Sequence, residues 1–272
     1  MVGSEPERHF VNQSDRSELA DRLWVVVTCM GRLSFVKHTA AALLERAGTG
    51  SLCYCLVDFS CPDQCGAWLE STYPQLIARG DARVVRVPDR TYFHKTAALN
   101  LGARAALEAG ARALCFSDAD TLVPPAAVDA VAASVGPGRF LVIDRRPGGA
   151  SVPSLTGLLG VAAADFRRAG GFDEAFEDWG AEDLEMRLRL HLVHGLEPVF
   201  LPADLFAPLN HGNWLRTRFH RERDIQRSAA RNYAQLRALV RQWTGRELEE
   251  TPETARRLLF APVGGPSPGA QA

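Results

Sequence analysis

The chain's 272 residues are 46% hydrophobic, enough apolar side chain for a sizeable core, which excludes a protein disordered throughout. Its 31 basic and 32 acidic side chains leave a formal net charge of -1, so no global field draws it to nucleic acid or to an anionic membrane. No stretch approaches the roughly 18 uncharged apolar residues that span a bilayer, and residues 1–21 form a polar, flexible arm without the apolar core of a signal peptide, so a soluble, cytoplasmic protein is expected.

From residue 23 onward apolar runs alternate with helical stretches, the pattern of an α/β sheet with crossover helices. Residues 24–28 read as a buried strand, 35–46 as a helix, 52–58 as a second strand and 83–87 as a third. An Ala/Leu-rich helix over 94–109 ends at Gly110, a residue suited to a left-handed cap. A fourth strand, 113–117, delivers Asp118 and Asp120. Pro124 and Pro125 open a further helix. Strands at 140–143 and 155–163 flank a Gly/Pro-rich, mobile loop at 146–153.

Residues 184–192 alternate apolar and polar with the period of a strand, yet Leu, Met, Glu and Arg favour a helix, and acids at 182 and 183 suit its first turn. Helix is the reading adopted. A short strand at 196–201 and a long arginine-rich helix at 216–241 follow, and the Pro/Gly/Ala-rich end, 261–272, reads as disordered. The expected organisation is one domain over 22–246, nucleotide-binding to about residue 123 and acceptor-binding thereafter, with a tail from 247.

Two carboxylates two residues apart in extended chain point the same way, so Asp118 and Asp120 leave the end of the fourth strand on one side, where open α/β sheets put ligands. A hard divalent ion held there bridges to a nucleotide diphosphate; the same pair also serves in a strand-ending turn. His211, in the loop after the last strand, supplies an imidazole suited to manganese. The second acidic stretch, from Gly170 to Asp183, crowds six carboxylates around Trp179. A carboxylate at this loop-to-helix junction, Asp183, can take a proton from an acceptor hydroxyl, Trp179 offers a flat face to a sugar ring, and the glycines, Gly180 among them, let the backbone approach closely. Alternatively, Asp183 faces Arg187 and Glu185 faces Arg189 as ordinary surface pairs. Thr28, Arg32 and Asp58 stand at strand ends where a base and ribose would be gripped, with Lys95 and Asn100 on the next helix as further nucleotide contacts. Arg216 and Arg218, close to His211 in sequence, can neutralise a leaving diphosphate. Six cysteines include Cys61 and Cys65, a spacing that raises a zinc site, against which Cys53 and Cys55 alternate in an apolar run. Reduced cysteines are the expectation for a cytosolic protein.

The segments Val25-Val26-Val27-Thr28-Cys29-Met30-Gly31-Arg32, Leu56-Val57-Asp58-Phe59-Ser60-Cys61-Pro62-Asp63, Phe116-Ser117-Asp118-Ala119-Asp120 and Gly170-Gly171-Phe172-Asp173-Glu174 with Trp179-Gly180-Ala181-Glu182-Asp183 resemble glycosyltransferase family 2 over about residues 23–215, with a galactosyltransferase-type region in the later half. The resemblance implies a GT-A fold, a divalent cation (manganese, or magnesium), a nucleotide-sugar donor such as a UDP-sugar, a hydroxyl-bearing acceptor and inversion at the anomeric carbon. It implies Asp120 and His211 as metal ligands, Asp183 as general base, and sugar contacts from Glu182 and Trp179. The chain departs from the galactosyltransferase pattern at Ala181 and Leu184, where Gly and Asp are usual, and residues 207–210 hold no Met ligand. A pyrophosphorylase would carry a glycine-rich phosphate loop after the first strand, which Thr28-Cys29-Met30-Gly31-Arg32 is not, and a non-catalytic binding module fits poorly with intact Asp118, Asp120, Asp183 and His211.

Overall fold

A computed structural model describes residues 22–143, 157–245, 247 and 258–260. The expected arm at 1–21, the loop at 146–153 and the end at 261–272 lie outside the described residues. Seven strands form one sheet in the order β3-β2-β1-β4-β7-β6-β8. Strands β1 (Leu23–Cys29), β2 (Leu52–Phe59), β3 (Ala82–Val87) and β4 (Ala113–Ser117) run parallel. The strand β7 (Leu159–Ala162) is antiparallel to β4 and to β6 (Arg139–Ile143), and β6 is parallel to β8 (Glu197–Leu201), so only β7 opposes the common direction.

The first, second and fourth strands are continuous apolar runs because helices cover both faces of the sheet. Successive residues of β1 point to opposite sides: Val25 and Val27 pack beneath Leu43 and Leu44 of helix α1 (Leu33–Gly48), while Trp24 and Val26 pack against Ala98 and Ala103 of a later helix. That helix, called α4 below, is preceded by α2 (Cys65–Thr72) and α3 (Pro74–Arg79), two short helices not foreseen in the sequence; α3 begins on a proline, which a first turn tolerates. The helix α4 (Lys95–Glu108) matches its expected span closely. Beyond it come α5 (Pro125–Ser134), α6 (Ala163–Ala169) and α7 (Glu182–Leu192).

Helix α7 explains its own misleading periodicity. Its polar positions Glu185, Arg187 and His191 are buried along with the apolar ones, so no solvent face registers in the pattern. Glu185 is 1% exposed and ion-paired to Arg189 at 2.5 Å, and Arg189 also donates to the carbonyls of Ala169 and Gly171. The pair exists as foreseen but as an interior brace for the preceding loop, not a surface contact.

The arginine-rich segment departs from expectation. Instead of one helix over 216–241, the chain forms α8 (Asn213–Thr217), leaves helix, and begins α9 (Ile225–Thr244). The break has a local cause: Asp224 Oδ1 accepts hydrogen bonds from the Gln226 and Arg227 amides at 2.9 and 3.1 Å, an N-cap that starts a new helix. A two-residue ribbon, β5 (Thr121–Leu122) with β9 (Ala207–Pro208), was also not foreseen, being too short to leave a hydropathy pattern. It ties the end of β4 to the segment carrying His211. Among the described residues no helix is long and apolar enough to cross a membrane.

Candidate active site

At the carboxyl ends of β1 and β4 lies a cavity of about 470 Å³, within the range of small-molecule sites. Thr28, Arg32, Lys95, Asp118, Asp120, Trp179, Gly180, Glu182, Asp183 and Arg216, all expected to be functional, line it.

The ribbon positions one wall. Pairing of Thr121 with Pro208, continued by a hydrogen bond from the Leu209 amide to the Asp120 carbonyl at 2.7 Å, carries the chain after β9 past Asp120. His211 Nε2 thereby comes into direct contact with Asp120 Oδ2. Arg32 Nη1 donates to the same carboxylate oxygen at 2.7 Å and lies 3.3 Å from the His211 ring nitrogen. A guanidinium thus stands where a carboxylate oxygen and an imidazole nitrogen converge, the position a cation would take.

The opposite wall is α7's first turn. Lys95 Nζ, at the start of α4, lies 3.0 Å from Asp118, 3.1 Å from Glu182 and 3.3 Å from Asp183. One ammonium shared by three carboxylates cannot neutralise them all. Burial, which disfavours charge, and the neighbouring Glu182 and Asp118 outweigh the attraction of Lys95 and push Asp183 up to about 7. For Asp118 burial also acts upward, but the adjacent ammonium wins and holds its carboxyl below the usual range. Burial would lower the Lys95 pKa, yet its three acidic neighbours hold it well above the ordinary lysine value. The surface pairing of Asp183 with Arg187 is not observed: Arg187 donates to the Leu158 carbonyl at 3.1 Å. Gly157 fixes Asp118 from behind, since a Cβ there would fall 1.9 Å from Asp118 Oδ2.

The loop before α7 holds an unusual backbone. Asp178, Gly180 and Ala181 have φ of 61°, 105° and 70°, the left-handed region that glycine tolerates and alanine resists. Helix α9 clamps it. Asn232 Nδ2, 1% exposed as a residue, donates to the carbonyls of Glu177 at 2.9 Å, Trp179 at 3.3 Å and Gly180 at 2.9 Å, and Ser228 Oγ accepts from the Trp179 amide at 2.9 Å. Asp178 is engaged by the Arg221 amide at 2.8 Å and by Arg231 at 3.2 Å, so its carboxylate serves the loop. Arg216 lies over the Trp179 ring at 5.9 Å. None of these α9 contacts was read from the sequence; the signal available was a polar Asn232 on a helix otherwise burying Leu236 and Val240 on that face. Replacing Asn232 by Ala is expected to cost about 1–3 kcal/mol, because buried carbonyls lose their donor. Urea denaturation checks this, and an unchanged midpoint would mean the loop holds its shape unaided.

Three expected nucleotide contacts stand elsewhere. Asp58 accepts from the Cys61 amide at 2.8 Å and the Gly66 amide at 3.0 Å, which spends its carboxylate on the turn after β2. Asn100 donates to the Phe172 carbonyl and accepts from its amide, pinning the loop around Gly171. Arg218 is exposed and lies over Trp214 and Phe219, outside the cavity.

Comparison with known proteins follows the same lines. Residues 150–208 match the family described as the N-terminal domain of galactosyltransferase. Validoxylamine A glucosyltransferases from two Streptomyces hygroscopicus strains, subsp. jinggangensis and subsp. limoneus, are each 62% identical over 34 residues. That segment is 12% of this chain and 8% and 7% of those proteins, so the chain spans a small part of the curated relatives it matches. Among solved structures, the mannosyltransferase PcManGT from Pyrobaculum calidifontis, determined with GDP-Man and Mn2+, superposes with a TM-score of 0.58 over 88% of this chain and 68% of that one, at 18% identity. The fold is therefore the GT-A fold: a mixed, mostly parallel sheet flanked by helices, with a C-terminal helix.

Proposed function

We propose that this GT-A chain is a metal-dependent glycosyltransferase that moves a hexose from a nucleotide-sugar donor, UDP-linked, to a hydroxyl acceptor with inversion. The observation that carries the reading is the opposition, across one cavity, of Asp118 and Asp120, the latter in contact with His211, to Glu182 and Asp183. The similar proteins are glucosyl- and mannosyltransferases, which supports the reaction class, and the Mn2+ and GDP-Man of the structural neighbour support a divalent cation and a nucleotide sugar.

Asp120 and His211 are the residues that would hold manganese, or magnesium: an oxygen and a nitrogen donor already in contact, with Arg32 standing in as the cation. When bound, such an ion offsets the charge of the diphosphate that departs. The chain's own groups do the rest. The acceptor oxygen attacks the anomeric carbon, its proton passes to an Asp183 carboxylate oxygen, and the bond to the diphosphate breaks with its electron pair leaving on oxygen. Arg32, displaced from Asp120, and Arg216 are the side chains to meet that charge, while Lys95 holds Asp118, Glu182 and Asp183 in place. Trp179 presents its ring to the sugar under Arg216.

Two measurements test this. Calorimetry with UDP, UDP-glucose and GDP-mannose, each with and without Mn2+, should give metal-dependent binding of the uridine nucleotides; binding of GDP-mannose alone would overturn the UDP assignment, and metal-independent or absent binding to all three would sink the reading. The second is pH. A base pushed up to about 7 must lose its proton to act, so kcat/KM is expected to rise tenfold per pH unit below about 7 and level off above it. A rate flat from about pH 5 to 8 would remove Asp183 as the base.

A further inference from the structure

Three cysteines that the cavity does not use come together from three segments of chain. Cys29 ends β1, Cys61 lies in the turn after β2, and Cys65 is the first residue of α2. All three are buried, and their sulfurs lie within 4.8 Å of one another, with Cys29 and Cys61 3.7 Å apart. Only the Cys61 and Cys65 pair was legible as a spacing; Cys29, 32 residues earlier, joins it through the register of β1 on β2, which sets Cys29 beside Asp58.

The remaining cysteines show what packing alone looks like. Cys53, Cys55 and Cys115 fill the core from within strands, as small apolar side chains do. The cluster is built differently. Asp58 accepts from the amides of both Cys61 and Gly66, fixing the two ends of the turn, and Gln64, at a left-handed φ of 55°, doubles the chain back so that Cys65 faces Cys61. The Gly31 amide donates to Cys61 Sγ at 3.2 Å, the kind of outer contact that steadies a thiolate. Beside them Tyr54, wholly buried on β2 in the same core, has a hydroxyl with no hydrogen-bond partner among the described residues. Burial first, then Cys29 and Cys65, raise its pKa, so it lies within electrostatic reach of the cluster.

We propose that Cys29, Cys61 and Cys65 form a second, thiolate metal site that takes a thiophilic d10 cation, zinc(II). With Zn–S bonds of about 2.3 Å, thiolates around one ion are about 3.8 Å apart in a tetrahedral site and about 4.0 Å in a trigonal one, so the sulfurs need move little. Binding exchanges up to three thiol protons for the dication, leaving about one net negative charge that the Gly31 amide is positioned to offset. The softness of three sulfurs separates this site from the oxygen and nitrogen donors at Asp120 and His211. Its consequence is mechanical: the ion staples the end of β1 to the β2–α2 turn, and so steadies the Met30 and Arg32 backbone that enters the cavity.

The test uses the full chain, reduced and freed of metal under nitrogen, then titrated with Co2+ as a spectroscopic stand-in and with Zn2+. One equivalent of cobalt is expected to give a sulfur-to-cobalt charge-transfer band that zinc abolishes and that survives in a variant carrying Asp120→Ala and His211→Ala, which lacks the oxygen and nitrogen donors proposed for the cavity. Cys61→Ser should lose the band. Absence of the band in the unmodified reduced protein overturns the proposal without recourse to any variant, and so does a band that persists in Cys61→Ser with a native circular dichroism spectrum. A chain that ignores zinc yet closes a disulfide within the cluster in air would likewise overturn it, in favour of thiol redox chemistry. None of these three results bears on nucleotide binding, so this site and the transferase reading stand or fall separately.

Discussion

Asp183→Asn is expected to lower turnover by on the order of a hundredfold or more while nucleotide affinity stays near that of the parent. Asparagine keeps the shape of the side chain and its place beside Lys95, but it cannot accept the acceptor's proton. The nucleotide, by contrast, is to be held by groups on the other wall. The same substitution has an opposite effect on stability, and the sign follows from the pKa. Asp183 rises from 3.8 to about 7 on folding, so the folded chain binds more protons than the unfolded one between those values, and stability falls as pH rises through that window. Asn removes the penalty. The variant should therefore melt no lower than the parent at pH about 8, with any advantage gone by pH about 4. Single-turnover transfer and thermal melts on one preparation check both; a rate within about threefold of the parent would move the base elsewhere.

The second large effect concerns Asp120. Its carboxylate is shared by Arg32 and His211, so Asp120→Ala deletes the only acidic oxygen in direct contact with His211 among the described residues. Metal-dependent nucleotide binding should then fall about a hundredfold or more, with His211→Ala weaker in effect but in the same direction. Isothermal titration of UDP in manganese reads both. Equal affinity for parent and Asp120→Ala would place the cation on other donors, Asp118 first.

Much of this site could be read from residue type and spacing, because each of its parts ends a strongly patterned element. Asp118 and Asp120 follow a buried strand, and Asp183 opens a helix rich in good helix formers, so their positions follow from local structure. What escaped is what depends on tertiary approach. Lys95 has no local mark to distinguish a nucleotide contact from the centre of three carboxylates. Asp58 and Asn100 sit at the strand end and helix where ligands are gripped in such folds, yet both are consumed by backbone groups of neighbouring loops. The clamp of Asn232 on residues 177–180 spans more than fifty positions, and a polar side chain on the apolar face of a helix marks a need for partners without naming them.

The ribbon of β5 and β9 has a consequence for how the molecule is made. Its two-residue strands join parts of the chain about ninety positions apart, as the separation of 91 between Asp120 and His211 shows. So short a ladder recovers little of the entropy lost in closing so long a loop. It is expected to form after the sheet, among the last contacts on the folding route and the first to open. The Leu209 amide, bonded to the Asp120 carbonyl, reports it: its hydrogen exchange should be fast beside that of β1 amides and slow markedly when manganese and nucleotide are added. A nascent chain would then gain the ability to hold its nucleotide only once the segment beyond residue 211 has been synthesised and docked.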